Sequence, residues 1–180
     1  TYVVWSPEGC QVLAEAGSAK SKLYALAAGR GLDPTFSEAV REEVEGWRRD
    51  PGIDDPSLED LTEMPFVTID GPTSKDLDQA LVVERDGDGF VVWYALADPS
   101  YFAQPGSALF DEALRRGASF YLPGLMVPML PEALSEGLVS LNPGVDRRAM
   151  VFVMRVDATG KCFDTELKHA RVPVSSTPHN

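Results

Sequence analysis

Two β-rich stretches joined by a short Asp-Gly turn constrain the fold of this 180-residue chain more than any other feature. Residues Ala80–Arg85 and Phe90–Ala97 are rich in valine and other apolar residues, and Asp86-Gly87-Asp88-Gly89 lies between them. Asp-Gly pairs between such stretches are typical of antiparallel hairpins, because glycine accepts the positive φ that these tight turns require. The sequence therefore predicts a β-hairpin over residues 80–97.

The remaining pattern downstream of residue 61 predicts an α+β fold, with a mostly antiparallel sheet and packed helices. Ser107 and Gly117 are suited to cap a helix over Ala108–Arg116. Four prolines between residues 121 and 143 exclude one long helix there and leave room only for extended segments around a short helix near Glu132–Gly137. Strands are predicted at Phe66–Ile69, Arg148–Val156 and Cys162–Val174.

Residues 1–60 have a different pattern and predict a helical N-terminal arm that precedes a second region, residues 61–176. The stretch Ser18–Arg30 is rich in alanine, leucine and lysine, which suits a helix. A second helix is predicted over Ser37–Trp47, with Ser37 as its N-cap and an apolar face at three- and four-residue spacing. Nothing in this arm indicates catalysis.

The charge balance limits the kinds of partner. Sixteen lysines and arginines stand against 28 aspartates and glutamates, a net charge of −12, which argues against a protein that grips nucleic acid by bulk electrostatics. It leaves nucleic acid open as a substrate met through a cation. The two cysteines cannot form a disulfide framework, and the longest apolar run is too short to span a membrane. We therefore expect a cytoplasmic protein with no membrane partner.

Three aspartates lie within nine residues between two predicted strands: Asp70, Asp76 and Asp78. In an extended backbone Asp76 and Asp78 project to the same side, and a turn at Gly71-Pro72 can return Asp70 beside them. Crowded carboxylates need a cation to remain charged, and Mg²⁺ prefers oxygen ligands. Such a site suits phosphodiester cleavage.

Spacing alone leaves other interpretations open. Acidic turns between strands are often solvated and inert. A calcium-binding loop lacks support, because the ligand spacing and central glycine of an EF-hand are missing. The Asp-x-Asp of phosphoaspartate hydrolases is also a poor match, since Thr73-Ser74-Lys75 separates Asp76 from the preceding strand.

The string Phe66-Val67-Thr68-Ile69-Asp70 followed by Lys75-Asp76-Leu77-Asp78 resembles the signature of the ribonuclease II and ribonuclease R family of exoribonucleases. The similarity continues in order along the chain, through Tyr94–Tyr101, Pro105–Leu109, Tyr121–Pro131 and Ser140–Pro143. It covers roughly residues 61–174. A series of matched segments is more specific than one acidic motif.

This resemblance implies processive 3′→5′ hydrolysis of single-stranded RNA that releases nucleoside 5′-monophosphates with Mg²⁺, as one ion or two, or with Mn²⁺. By position, Asp70 and Asp76 would hold metal and Asp78 would serve the cleavage step. Gln79 stands where the family has a fourth aspartate, and its amide oxygen is a weaker ligand for a hard cation. Tyr121 matches a tyrosine that stacks on RNA bases. From the sequence itself, Arg147 is a further candidate for lining the RNA path.

The resemblance also implies partners that the 180 residues do not contain: later catalytic-domain segments and an OB-fold RNA-binding domain. We therefore expect a fragment of a larger polypeptide that is inactive in isolation. Two hypotheses follow. In the first, the chain is the metal-bearing part of an exoribonuclease. In the second, it belongs to a module that has lost catalysis, as Gln79 suggests, and binds RNA or another protein.

Overall fold

The computed structural model describes residues 1–6, 9–71 and 73–173 of the chain. The strands are β1 (Tyr2–Ser6), β2 (Gly9–Ala14), β3 (Glu59–Asp60), β4 (Gln79–Asp86), β5 (Gly89–Ala97), β6 (Phe120–Leu122), β7 (Leu125–Val127), β8 (Arg147–Val156) and β9 (Cys162–Val172). The helices are α1 (Ala19–Ala28), α2 (Glu38–Arg49), α3 (Pro99–Phe102), α4 (Ala108–Arg116) and a π-helix, α5 (Ala133–Leu138). Helices and a mostly antiparallel sheet confirm the predicted α+β class.

The chain divides into two compact units. The first contains residues 1–44 and 103–131, and the second contains residues 45–102 and those from 132 onward. Helix α2 therefore contributes its first residues to one unit and its last residues to the other. No helix among the described residues is both long and apolar enough to cross a lipid bilayer.

The second unit is built on a five-stranded sheet in the order β3-β9-β8-β5-β4. All neighbours are antiparallel except the two-residue strand β3, which pairs in parallel with β9. The predicted hairpin is present: Asp86 lies opposite Gly89, and Gly87 takes φ 59° at the turn. The residues that fill the core on one face of this sheet are Leu61, Phe66, Leu77, Ala80, Val82, Ala95, Leu141, Ala149, Val151, Val153, Ala170 and Val172.

The first unit contains two short antiparallel hairpins, β1–β2 and β6–β7, together with α1, α4 and the start of α2. One core cluster of this unit consists of Ala14, Tyr24, Ala27, Leu125 and Val127. Helix α4 has the predicted bounds, because Ser107 accepts a hydrogen bond from Phe110 N and Gly117 takes the left-handed conformation at φ 71°. Both capping residues can be identified from the sequence alone.

Residues 1–60 contain short strands as well as the two predicted helices. Helices α1 and α2 form as expected, but strands β1 and β2 precede them and β3 follows them. The described residues of β2 are mostly exposed, so this hairpin lacks the clear apolar alternation that identifies a half-buried strand. The boundary at residue 60 stays a prediction.

Candidate active site

The segment that leads into the first aspartate is extended but is not a strand. Val67 forms an isolated β-bridge with Leu81, in which the two residues exchange two backbone hydrogen bonds at 3.1 and 2.9 Å. The predicted strand Phe66–Ile69 is therefore wrong in extent. Phe66 is fully buried in the sheet core and anchors the segment there. The bridge to Leu81 brings the chain alongside β4 just before Asp70, which is half-buried.

Residues 70–78, which we call the acidic loop, then return to the start of β4. Pro72, one half of the predicted Gly71-Pro72 turn, lies outside the described residues, but Ser74 N donates to Gly71 O at 3.0 Å. Leu77 is buried in the core, whereas Asp76 and Asp78 on either side of it are exposed. This alternation is the one expected for an extended backbone.

The backbone of the loop is fixed at four atoms. Ser140 Oγ donates to Lys75 O at 2.7 Å and accepts from Leu77 N at 2.9 Å. Leu141 N donates to Leu77 O at 2.9 Å, and Ala97 N donates to Asp78 O at 2.8 Å. The hydrogen bonds flank both aspartates, so the carboxylates are presented by a backbone with little freedom to move.

The electrostatics of the loop show that its carboxylates interact. Partial burial raises the pKa of the Asp78 carboxyl above its ordinary value, and the negative charges of Asp76 and then Asp70 raise this pKa further. The Lys75 side chain is 71% exposed, and its Nζ forms an ion pair with Glu136 Oε2 at 3.2 Å. The three predicted aspartates therefore share one electrostatic environment, and their nearest lysine in sequence is directed to another partner.

The fit of a divalent cation follows from this charge pattern. Among the described residues, no three histidine, cysteine, aspartate or glutamate side chains, Asp70, Asp76 and Asp78 included, are placed so that together they could hold a metal ion. Mg²⁺ does not need such a set, since it keeps several waters and takes one or two carboxylates together with substrate phosphate. Mutually repelling carboxylates on a fixed loop fit that requirement. Direct sharing of an ion by all three stays a prediction.

Gln79, the predicted weaker metal ligand, is the first residue of β4, and its side chain forms a hydrogen bond. Its Oε1 accepts a hydrogen bond from the hydroxyl of Tyr94 on the neighbouring strand β5. Both residues line a surface pocket of about 180 Å³ that also includes Asp70. The amide oxygen is therefore held by a tyrosine at the wall of this pocket, and its availability to a metal is reduced.

The two predicted RNA-binding residues differ in exposure. Tyr121, on β6 of the first unit, is 71% exposed and offers an open aromatic face. Arg147, at the start of β8, is half-buried, and burial lowers the pKa of its guanidinium. Its Nε donates to Ser140 O at 3.0 Å and its Nη1 to Asp146 O at 3.1 Å. Arg147 therefore donates hydrogen bonds to backbone oxygens, one of them at Ser140 beside the acidic loop, and the sequence did not predict these contacts.

Comparison with known protein families matches residues 58–176, more than half of the chain, to the family described as the RNB domain. The chain belongs to the RNB-domain family. This membership confirms the resemblance on which the expected site rests, and the match includes the acidic loop, Gln79, Tyr121 and Arg147.

Relatives of this RNB-domain chain carry the name ribonuclease R. The protein from Vibrio parahaemolyticus is 48% identical over 118 residues, which cover 65% of this chain and 14% of the relative. The protein from Escherichia coli is 44% identical over 128 residues, 70% of this chain and 16% of the relative. A solved structure of Mycoplasma genitalium RNase R in complex with ribose methylated single-stranded RNA superposes with a TM-score of 0.82 at 31% identity, over 93% of this chain and 27% of that one.

The chain therefore spans less than a third of the length of each of these relatives. Within it, sequence reasoning identified the aspartates and missed the residues that hold them. Ser140 and Glu136 lie more than 60 residues from Lys75 along the chain, and their hydroxyl and carboxyl groups carry no local pattern. Of the two, only Ser140 had a signal, its place in the segment of similarity at Ser140–Pro143.

Proposed function

We propose that this chain is the metal-bearing part of the catalytic domain of a Mg²⁺-dependent exoribonuclease. The whole protein removes nucleoside 5′-monophosphates from the 3′ end of single-stranded RNA. The observation that carries this proposal is the set of three electrostatically coupled aspartates on the acidic loop, within residues that match the RNB domain. The match to ribonuclease R relatives supports the substrate class.

In this mechanism each residue has a distinct task. Asp70 and Asp76 hold the divalent cation, and Asp78 orients the water that attacks the terminal phosphodiester. Bound there, the cation supplies positive charge against the phosphate and lowers the pKa of water. Tyr121 stacks on a base near the 3′ end, where an aromatic face accepts any base. The rest of the polypeptide supplies the remaining RNA contacts, including an OB-fold domain.

A second candidate function is an RNA- or protein-binding module without catalysis. Two observations favour it: Gln79 replaces a carboxylate with a neutral amide, and the amide oxygen is held by Tyr94. A protein of this kind binds single-stranded RNA but leaves it intact in Mg²⁺ and in Mn²⁺.

The test is RNA hydrolysis by the full-length polypeptide and its Asp78→Asn variant. With a 5′-labelled single strand, we expect the natural protein to produce a ladder that shortens from the 3′ end. Turnover in the variant should fall by about 10²–10⁴-fold, the usual effect of losing a group that orients or activates the nucleophile. Asp88→Asn, at the exposed hairpin turn, is the matched control and should leave turnover unchanged. Equal turnover in Asp78→Asn would refute the proposed mechanism, and an intact RNA with the natural protein would favour the binding module.

A further inference from the structure

Ser140 lies just after helix α5 and is the most deeply buried polar residue near the acidic loop, with 1% of its surface exposed. Its hydroxyl both donates and accepts a hydrogen bond, and both partners belong to the backbone of that loop. The two partner atoms, Lys75 O and Leu77 N, lie on either side of Asp76. A single hydroxyl therefore fixes the peptide units before and after this aspartate.

The backbone of Ser140 is also held by hydrogen bonds to its own part of the chain. Its backbone oxygen accepts hydrogen bonds from Arg147 Nε at 3.0 Å and from Asn142 N at 2.8 Å. The next residue, Leu141, is fully buried and donates its N–H to Leu77 O. The hydroxyl thus belongs to a rigid segment that reaches the loop through three hydrogen bonds.

A second link joins the same two segments. Lys75 Nζ pairs with Glu136 Oε2 on α5 at 3.2 Å, and Glu136 O accepts from Asn142 Nδ2 at 2.9 Å. The segment from α5 to residue 142 therefore contacts the loop at its backbone and also at the Lys75 side chain.

We infer that Ser140 is a positioning residue for the acidic loop, whose hydroxyl sets the direction of the Asp76 carboxylate and so its ability to bind a divalent cation. The inference rests on the proposed function. Two like-charged carboxylates, Asp76 and Asp78, move apart when the backbone between them is free, because separation lowers their repulsion. The hydroxyl opposes that movement by fixing the peptide groups around Asp76 and Leu77.

The test compares Ser140→Ala with the natural full-length protein, by calorimetric titration with Mn²⁺ alone and by RNA hydrolysis. We expect the dissociation constant for Mn²⁺ to rise by about 10- to 100-fold, the usual effect of removing a group that orients a metal ligand. In the hydrolysis assay, kcat at a fixed low Mg²⁺ concentration should fall by a similar factor. The KM for RNA should change less than about threefold, and high Mg²⁺ should restore part of the loss.

Two further variants separate positioning from stability. Ser107→Ala removes a comparable hydrogen bond, at the N-cap of α4, and should lower Tm without changing the affinity for Mn²⁺. Ser140→Cys keeps the same side-chain connectivity with a somewhat larger atom, but its thiol is a weak donor and acceptor, so it should lose Mn²⁺ affinity even if Ser140→Ala does not fold.

The outcomes are distinguishable. If the natural protein neither binds Mn²⁺ nor hydrolyses RNA, the proposed function fails. If the natural protein does both, while the Ser140 variants lose only Tm and keep their Mn²⁺ affinity and kcat, Ser140 is merely structural and the inference is overturned.

Discussion

Asp78 is the aspartate of the acidic loop whose pKa is raised. The residue is exposed as a whole, but neighbouring atoms partly desolvate its carboxyl, and this desolvation and the charges of Asp76 and then Asp70 all raise its pKa. The sequence predicted that these aspartates would crowd, because their spacing and the intervening Leu77 place them on one side. It could not predict that Lys75 would pair with Glu136, since that contact depends on how α5 packs against the loop.

Whether residue 79 contributes to cation binding can be tested by substitution of Gln79. Gln79→Asp places a carboxylate at the start of β4, in place of the amide that accepts a hydrogen bond from the Tyr94 hydroxyl. Because a carboxylate binds a hard cation more tightly than an amide does, we expect the dissociation constant for Mn²⁺ to fall by about tenfold, measured by calorimetric titration. Tyr94→Phe is the control, since it frees the amide oxygen without adding charge, and a much smaller change is expected. An unchanged Mn²⁺ affinity in Gln79→Asp would show that residue 79 does not face the metal.

Among the elements, those with local signals were predicted well. Helix α4 has Ser107 and Gly117 at its ends, and the β4–β5 hairpin has its Asp-Gly turn, so both follow from a few adjacent residues. Strand β3 has only two residues and exists because it pairs with β9, more than 100 residues away. The Val67–Leu81 bridge is similar, since tertiary pairing rather than local preference decides how far that strand extends.

Helix α4 also carries an ion-pair cluster that makes its stability depend on pH. The Glu112 carboxylate forms ion pairs with Arg115 and Arg116. The hydrogen bond from Arg115 lowers the pKa of Glu112 most, and the hydrogen bond from Arg116 lowers it further. Together they outweigh the opposite effect of partial burial, so the pKa falls from 4.5 to about 2. Arg116 is also stacked on Phe36, with its guanidinium 3.9 Å from the ring centre. A carboxyl whose pKa is lowered in the folded state stabilises that state above its unfolded pKa.

We therefore expect Glu112→Gln to lower the free energy of unfolding by about 1–3 kcal/mol at pH 7. The difference from the natural protein should shrink as the pH falls from 4.5 towards 2, where Glu112 itself becomes protonated. Urea unfolding at a series of pH values measures this. Glu38→Gln is the matched control, since Glu38 pairs with Arg41 at an exposed site and should matter little. A difference that stays constant down to pH 2 would contradict the assigned cause.

For the molecule as a whole, the sheet of the second unit is apolar on both faces. One face holds the core, and strand alternation places Tyr94, Phe152 and Met154 on the other. Two residues of this second face are markedly exposed: Val83 on β4 at 53% and Leu167 on β9 at 48%. Exposed apolar patches of this kind favour association.

The corresponding prediction concerns the isolated 180-residue chain. Val83→Lys combined with Leu167→Lys should reduce its self-association, measured by light scattering, and should change the free energy of unfolding by less than about 0.5 kcal/mol. Val151→Lys, on the core face, should instead prevent folding, because Val151 is fully buried. A large loss of stability in the double variant would mean that these side chains are buried in the isolated chain.

Binding of a divalent cation by the acidic loop can be seen by anomalous diffraction from crystals of the full-length protein grown with Mn²⁺. We expect an anomalous peak at about 2.0–2.3 Å from carboxylate oxygens of at least two of Asp70, Asp76 and Asp78. The peak should be absent in crystals of the Asp76→Asn, Asp78→Asn double variant. Well-ordered carboxylates in the natural protein with no peak beside them at saturating Mn²⁺ would show that the loop does not bind the cation.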